Sequence, residues 1–138
     1  MLYKNNLSFH LFSDNPPAYT DSILVVNAIG FLSSIYQYGT IAFIGGGFTN
    51  GIHNILEPTV YGLPVVFGQN YRKFNEAFEV IDLNVGFVVN DANELTKQLG
   101  ALMDDEKVLS ESSRLAKNYV LKNSGATNKI VDGLKEFL

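Results

Sequence analysis

The sequence predicts an α/β fold, a parallel β-sheet covered by helices on both faces. Short apolar runs recur roughly every 17–24 residues with helical patterns between most of them, the spacing of βα units. Several runs are continuously apolar rather than alternating, as strands buried on both faces require. A glycine triplet, Gly45-Gly46-Gly47, follows one such run and precedes a helical start, giving a strand–loop–helix corner.

The elements follow in order. Residues 7–12 (LSFHLF) read as a first strand, broken by Asp14-Asn15-Pro16-Pro17, because proline fixes φ and removes a donor. Residues 22–26 (SILVV) are a short buried strand. Residues 30–38 read as helical, with Phe31, Ile35 and Tyr38 near one face. Residues 40–44 form the next buried strand, and residues 54–61 a helix ended by Gly62. Residues 64–67 (PVVF) are a strand opened by proline and closed by Gly68. Residues 74–83 form an amphipathic helix with Phe74, Phe78 and Ile81 in one stripe. Residues 86–89 (GFVV) are the last strand. Asp91 is placed to cap a helix over 92–103, since its carboxylate can accept the first free N–H groups. Helical pattern continues through 104–122, and 124–138 closes the chain.

Composition narrows the function classes. The chain has 138 residues, 46% apolar and 17% charged, which suits one packed domain and disfavours disorder. Its net charge of −4 argues against a nucleic-acid partner, because phosphate backbones require a basic face. Without cysteine it has no disulfide, thiolate metal site or cysteine nucleophile. No segment is apolar enough to span a bilayer and no signal peptide is visible at Met1. The abrupt opening on a strand reads as an internal piece of a larger protein.

In open parallel sheets, ligands bind outside the strands' carboxyl ends. The loops after Val26, Ile44, Phe67 and Val89 should therefore share a functional edge. Gly45, Gly46 and Gly47 either make a tight turn or let a ligand approach bare backbone. The run is neither GxGxxG nor a P-loop, which disfavours dinucleotide and Walker-type ATP sites. Asn54 with Glu57 three residues on reads either as a capping box or as an anion site. In the second reading, N–H groups near Asn54, Ile55 and Leu56 face an anion, and Glu57 accepts from ribose hydroxyls. His53, just before this helix, either donates to a phosphate or holds the glycine loop. His10 lies in an apolar strand and is structural; two histidines so placed make a metal site improbable. The corner at Asn27-Ala28-Ile29-Gly30 is a loop capped by Asn27 or a backbone clamp on a ligand. Arg72 and Lys73, after the fourth strand, are candidate anion contacts or a solvated helix start. No complete catalytic set is present.

The stretch from Ile44 through Asn54-Ile55-Leu56-Glu57-Pro58, continued by Tyr61-Gly62-Leu63-Pro64-Val65-Val66-Phe67-Gly68, strongly resembles the C-terminal domain of 3-deoxy-D-manno-octulosonic acid (Kdo) transferases, in a form like that of Bacteroidetes members. The resemblance runs from about Ile23 to the C-terminus. It implies a Rossmann-like domain, the C-terminal half of a two-domain GT-B glycosyltransferase that moves Kdo from CMP-Kdo to a lipid A precursor in lipopolysaccharide synthesis. It implies that Ile29, Gly30, Phe31, Gly45, Gly46, Gly47, Asn54, Ile55, Leu56 and Glu57 hold CMP, with His53 a motif residue. It also implies no cofactor and no required metal, a catalytic carboxylate in an N-terminal domain, and a cytoplasmic location at the inner membrane for the full-length enzyme. The chain departs from many members at Asn27-Ala28, where Asp-Thr or Asp-Asn is common, and at Phe31, where Glu follows the glycine. The basic segment that precedes the first C-terminal-domain strands in the family is absent. Other readings are a GT-B domain using a UDP- or GDP-sugar, and a non-enzymatic nucleotide- or flavin-binding module.

Overall fold

A computed structural model describes residues 7–13 and 23–135. The chain divides into two compact units, Met1–Ile35 and Tyr36–Leu138. The proline break at residues 14–17 lies outside the described residues.

The first unit contains strands β1 (His10–Leu11) and β2 (Leu24–Val25) and a single helical turn, α1 (Leu32–Ile35). The strands pair in parallel, with His10 opposite Leu24 and Leu11 opposite Val25. Both are shorter than the apolar runs suggest. Leu24 is 55% exposed, so β2 is not the doubly buried strand its composition predicts. A continuous apolar run cannot reveal whether a second layer covers it. Residues 30–38 do not form one helix either: α1 gives way to a 3-10 turn over Tyr36–Tyr38, and the predicted face of Phe31, Ile35 and Tyr38 buries none of its members. Phe31 instead lies against Phe12, ring centroids 5.2 Å apart.

The second unit is a three-stranded parallel sheet of β3 (Ala42–Ile44), β4 (Val65–Gly68) and β5 (Gly86–Val89), with β4 central. Ala42 pairs with Val65, and Val65 with Gly86. The described strands thus form two sheets, not one. Every residue of β4 is buried. Its side chains alternate between two cores, as the two-residue repeat of a strand demands. Val65 and Phe67 join Ile44, Ala77, Val80, Ala116 and Tyr119 on one face. Val66 joins Val89 and Leu102 on the other. Helices α3 (Asn75–Asp82) and α5 (Glu106–Asn123), with Ile52 and Ile55 just before the short helix α2 (Leu56–Val60), supply the first face, and α4 (Ala92–Asp104) the second. Burying a side chain such as Phe67 contributes about 1.5–3 kcal/mol, so β4 anchors the unit.

Helix limits have local causes. Asp91 accepts from Glu94 N–H at 2.8 Å and caps α4 as predicted. The pattern read as continuing from 104 is interrupted at Asp105, whose extended backbone ends α4. Its carboxylate accepts from Lys107 and Val108 N–H at 3.0 and 3.1 Å, starting α5. Asn84 follows α3 in the left-handed region at φ 55°, and its carbonyl accepts from the buried Ser112 hydroxyl at 2.7 Å. On α3, Ala77 and Val80 are the buried residues, while Phe78 is exposed beside Tyr71. Phe74 and Ile81 of the predicted stripe pack against the core, and Phe78 does not. The closing helix α6 (Ala126–Lys135) is amphipathic but buries no residue among those described.

Candidate functional site

The parallel strands of the second unit bring their carboxyl ends to one edge, where three loops converge. The first follows β3. Gly46 has φ +86°, and a Cβ there would collide with the Gly51 carbonyl oxygen. Its own carbonyl accepts from Thr49 N–H at 2.9 Å, Gly51 N–H at 3.2 Å and Thr49 Oγ1 at 3.1 Å, closing a tight turn. A Cβ on Gly45 would meet His53 Cδ2 at 3.2 Å, so the imidazole lies against the bare loop. His53 N–H donates to the Gly45 carbonyl at 3.0 Å. A Cβ on Gly47 would meet the Gly68 nitrogen at 2.5 Å. The β3 and β4 loops therefore touch backbone to backbone. Each glycine of the triplet has a structural reason within the protein, and His53 stands where it holds the loop.

The second loop leads into α2. The helix begins at Leu56, two residues later than the sequence suggests, with Ile55 in the cap position and no side-chain bond from Ile55. Asn54 caps from one residue further out. Its Oδ1 accepts from Leu56 N–H at 2.9 Å, and its Nδ2 donates to Glu57 Oε1 at 2.9 Å. The Asn54–Glu57 pairing anticipated from their spacing is present as a direct side-chain bond rather than a reciprocal backbone box. The buried Thr59 hydroxyl donates to the Ile55 carbonyl at 2.7 Å, which fastens the short helix. Burial, and secondarily the negative charge of Glu57, raise the Tyr36 hydroxyl above its ordinary pKa.

The third loop follows β4. Asn70 N–H donates to the Gly47 carbonyl at 2.9 Å and its Nδ2 to the Thr49 carbonyl at 2.8 Å, clamping this loop to the first. Thr49, Asn50, Gln69, Asn70, Arg72 and Lys73 line an open cavity of about 560 Å³. A second cavity of about 280 Å³ is lined by Ile52, His53, Asn54, Ile55, Leu56, Phe74 and Glu76. Gly51 touches the Phe74 ring: a Cβ there would lie 3.2 Å from Phe74 Cε2.

One unit thus unites the glycine loop, His53, Asn54, Ile55, Leu56, Glu57, Arg72 and Lys73 on one edge. Ile55 is buried, while His53, Asn54, Leu56, Arg72 and Lys73 are exposed. Ile29, Gly30 and Phe31 belong to the other unit. There Ile29 and Gly30 are exposed and Gly30 has φ +91°. Asn27 does not cap α1; its amide bridges Ser13, accepting from the backbone N–H at 3.1 Å and donating to the hydroxyl at 2.8 Å. Sequence reasoning missed the clamp made by Asn70 and the place of Glu76 beside the α2 start. Neither carries a motif, and both depend on loops distant in sequence coming together. Among the described residues there is no cluster of three or more His, Cys, Asp or Glu that could hold a metal.

No protein-family model matches the chain. It is similar to a 3-deoxy-D-manno-octulosonic acid transferase of Aquifex aeolicus (strain VF5), 36% identical over 104 residues, covering 72% of this chain and 30% of that protein. A bifunctional glycosyltransferase/methyltransferase of Fusobacterium nucleatum is 30% identical over 148 residues, covering 99% of this chain and 23% of that protein. A 3-deoxy-D-manno-octulosonic acid transferase of Haemophilus influenzae is 28% identical over 142 residues and matches the whole chain to 33% of its own length. The chain therefore spans a third or less of these relatives. Among solved structures, it is similar to the C-terminal CMP-Kdo binding domain of WaaA from Acinetobacter baumannii, with TM-score 0.69 and 25% identity, covering 83% of this chain and 63% of that one.

Proposed function

The chain is a homologue of the C-terminal domain of the Kdo transferases, and from that premise we propose that it is the donor-binding half of such an enzyme. In this reading it holds CMP-Kdo, while a carboxylate from a separate N-terminal domain deprotonates the hydroxyl of a lipid A precursor. The observation that carries it is the loop edge beside α2, in a fold shared with a CMP-Kdo binding domain. There Asn54 pins both the Leu56 N–H and one oxygen of Glu57, which leaves the other Glu57 oxygen to accept from ribose hydroxyls.

Helix α2 has only five residues, so its dipole supplies little. The leaving phosphate would be held by individual N–H groups of this loop and by Arg72 and Lys73. That division of labour assigns no role to a metal, and a chelator should leave CMP affinity unchanged. Among the described residues no helix is long and apolar enough to cross a membrane. In this proposal the enzyme works at the cytoplasmic face of the inner membrane through parts of the protein outside this chain.

Calorimetric titration of the chain with CMP, UDP and GDP tests the reading. CMP should bind weakly and better than the other two. Asn54→Ala should weaken CMP by roughly tenfold, the worth of a lost cap and tether. Absence of heat with CMP would sink the proposal. A preference for UDP or GDP would move the chain to another sugar donor. Transfer of Kdo by the isolated chain would refute its being half of a site.

A further inference from the structure

We propose that Asn50-Gly51 is a site of spontaneous covalent modification, at which the loop after β3 acquires an aspartate or an isoaspartate. The step needs no co-reactant but water. The Gly51 backbone nitrogen loses its proton and bonds to Asn50 Cγ, closing a succinimide ring. The Cγ–Nδ2 bond breaks and ammonia leaves. Water then opens the ring. Attack at Cγ releases the Gly51 nitrogen from the side chain and gives aspartate. Attack at the Asn50 backbone carbonyl carbon gives isoaspartate, whose main chain runs through Cβ and Cγ.

Asn50 is the only asparagine of the sequence followed by glycine, the residue that puts no side chain in the way of ring closure. It is exposed, and among the described residues its amide takes part in no hydrogen bond. Other loop asparagines are held. The side-chain amides of Asn27, Asn54, Asn70 and Asn90 each donate to a fixed acceptor. Asn84 precedes the buried Val85, whose N–H donates to the Val80 carbonyl at 2.9 Å. By contrast, Gly51 N–H is held by a 3.2 Å bond to the Gly46 carbonyl, the longest of the three bonds which that oxygen accepts. Electrostatics favour the step as well. Arg72 and Lys73 line the same cavity as Asn50, and no carboxylate does. Cations there stabilise both the anionic nitrogen that attacks and the carboxylate that results.

The two products act differently on the loop. Isoaspartate lengthens the main chain between Thr49 and Gly51, inside a turn with no slack. Thr49 and Gly51 N–H converge on one carbonyl, and the Thr49 carbonyl accepts from Asn70 Nδ2 at 2.8 Å. The longer chain cannot keep all three bonds, so the clamp between the β3 and β4 loops loosens. Aspartate leaves the backbone intact and adds only charge. The modification does not depend on what the edge binds. Its effect on CMP rests on the donor-binding reading: either product puts a carboxylate beside the two cations assigned to the phosphate, so an ageing chain binds less tightly.

The test incubates the folded chain at mildly alkaline pH in water enriched in heavy oxygen, beside Asn50→Gln and a urea-unfolded sample. Glutamine must close a larger ring and does so far more slowly. A folded species one unit more negative than the net charge of −4 should accumulate on isoelectric focusing. Peptide mapping should place heavy oxygen at position 50 in both product forms, and Asn50→Gln should lose the signal. Accumulation in the unfolded sample alone would overturn the proposal, since the turn would then shield Gly51. Equal accumulation in Asn50→Gln would overturn it too. Asn50→Asp carries the new charge on an intact backbone and should weaken CMP about threefold. Unchanged CMP affinity in that variant and in the aged chain would refute the effect on binding. Failure of the fresh chain to bind CMP at all would remove the donor-binding reading and leave the modification supported by the mapping.

Discussion

Replacing Gly47 by alanine should damage the fold and the site together. A Cβ at this position would lie 2.5 Å from the Gly68 nitrogen and 2.7 Å from its Cα. Ordinary contact begins at 3.4 Å, so the two loops would have to part by about 0.9 Å. The obstacle is backbone at the end of the fully buried β4, which cannot rotate away as a side chain would. Overpacking of this kind costs about 1–3 kcal/mol. For a unit of this size that corresponds to a fall in Tm of roughly 5–15 °C. Separating the loops also strains the 2.9 Å bond from Asn70 N–H to the Gly47 carbonyl, so ligand binding at the edge should fall as well. Thermal unfolding followed by circular dichroism reads the first effect and calorimetry with CMP the second. Gly133→Ala is the matched control, since nothing lies within 4 Å of a Cβ there and the residue is inside α6. The same chemical change should then stabilise that helix by about 0.5–1 kcal/mol. A Gly47→Ala chain with unchanged Tm and unchanged CMP binding would refute the loop-contact reasoning.

Asp105→Ala removes the acceptor of two N–H groups at the start of α5 and should cost about 1 kcal/mol in urea unfolding; no shift in midpoint would mean that water replaces the cap without loss. Burial, and then its 2.6 Å bond to Glu79, hold the Tyr119 hydroxyl well above its ordinary pKa. The folded state thus keeps a proton that the unfolded chain gives up at about pH 10, so this contribution is complete below pH 10 and declines as pH rises beyond it. Unfolding midpoints from pH 8 to 11 should fall more steeply for the native chain than for Tyr119→Phe, and parallel curves would reject the assignment.

What could be read from the sequence depended on whether the information was local. The run PVVF before Gly68 marks β4 because an apolar stretch between a proline and a glycine has few other conformations. Asp91 announced its helix, since a cap acts on N–H groups only three residues away. Asn54 and Glu57 were likewise recognisable as partners from their spacing, although the structure joins them side chain to side chain. The failures were contacts across distance. Phe78 fits an apolar stripe as well as Val80 does, yet only Val80 is buried, because which face turns inward is set by elements distant in sequence. The exposure of Leu24 depends on a covering layer that its own residues cannot specify. At the site, the sequence shows glycines at both loops but not that Gly47 and Gly68 meet each other, nor that Asn70 joins them.

The short helix beside the candidate site has one more consequence. Helix α2, which ends at Val60, packs against α5, which begins only at Glu106, and a Cβ on Gly62 would press on the Lys117 side-chain stem at 2.5 Å. During synthesis, the candidate site residues emerge long before the segment that supports them. The edge therefore matures late, and its assembly is governed by contacts of high sequence separation, which form slowly. A nascent or proteolysed chain ending before Glu106 would carry every candidate ligand contact and still lack the support that holds α2 in place.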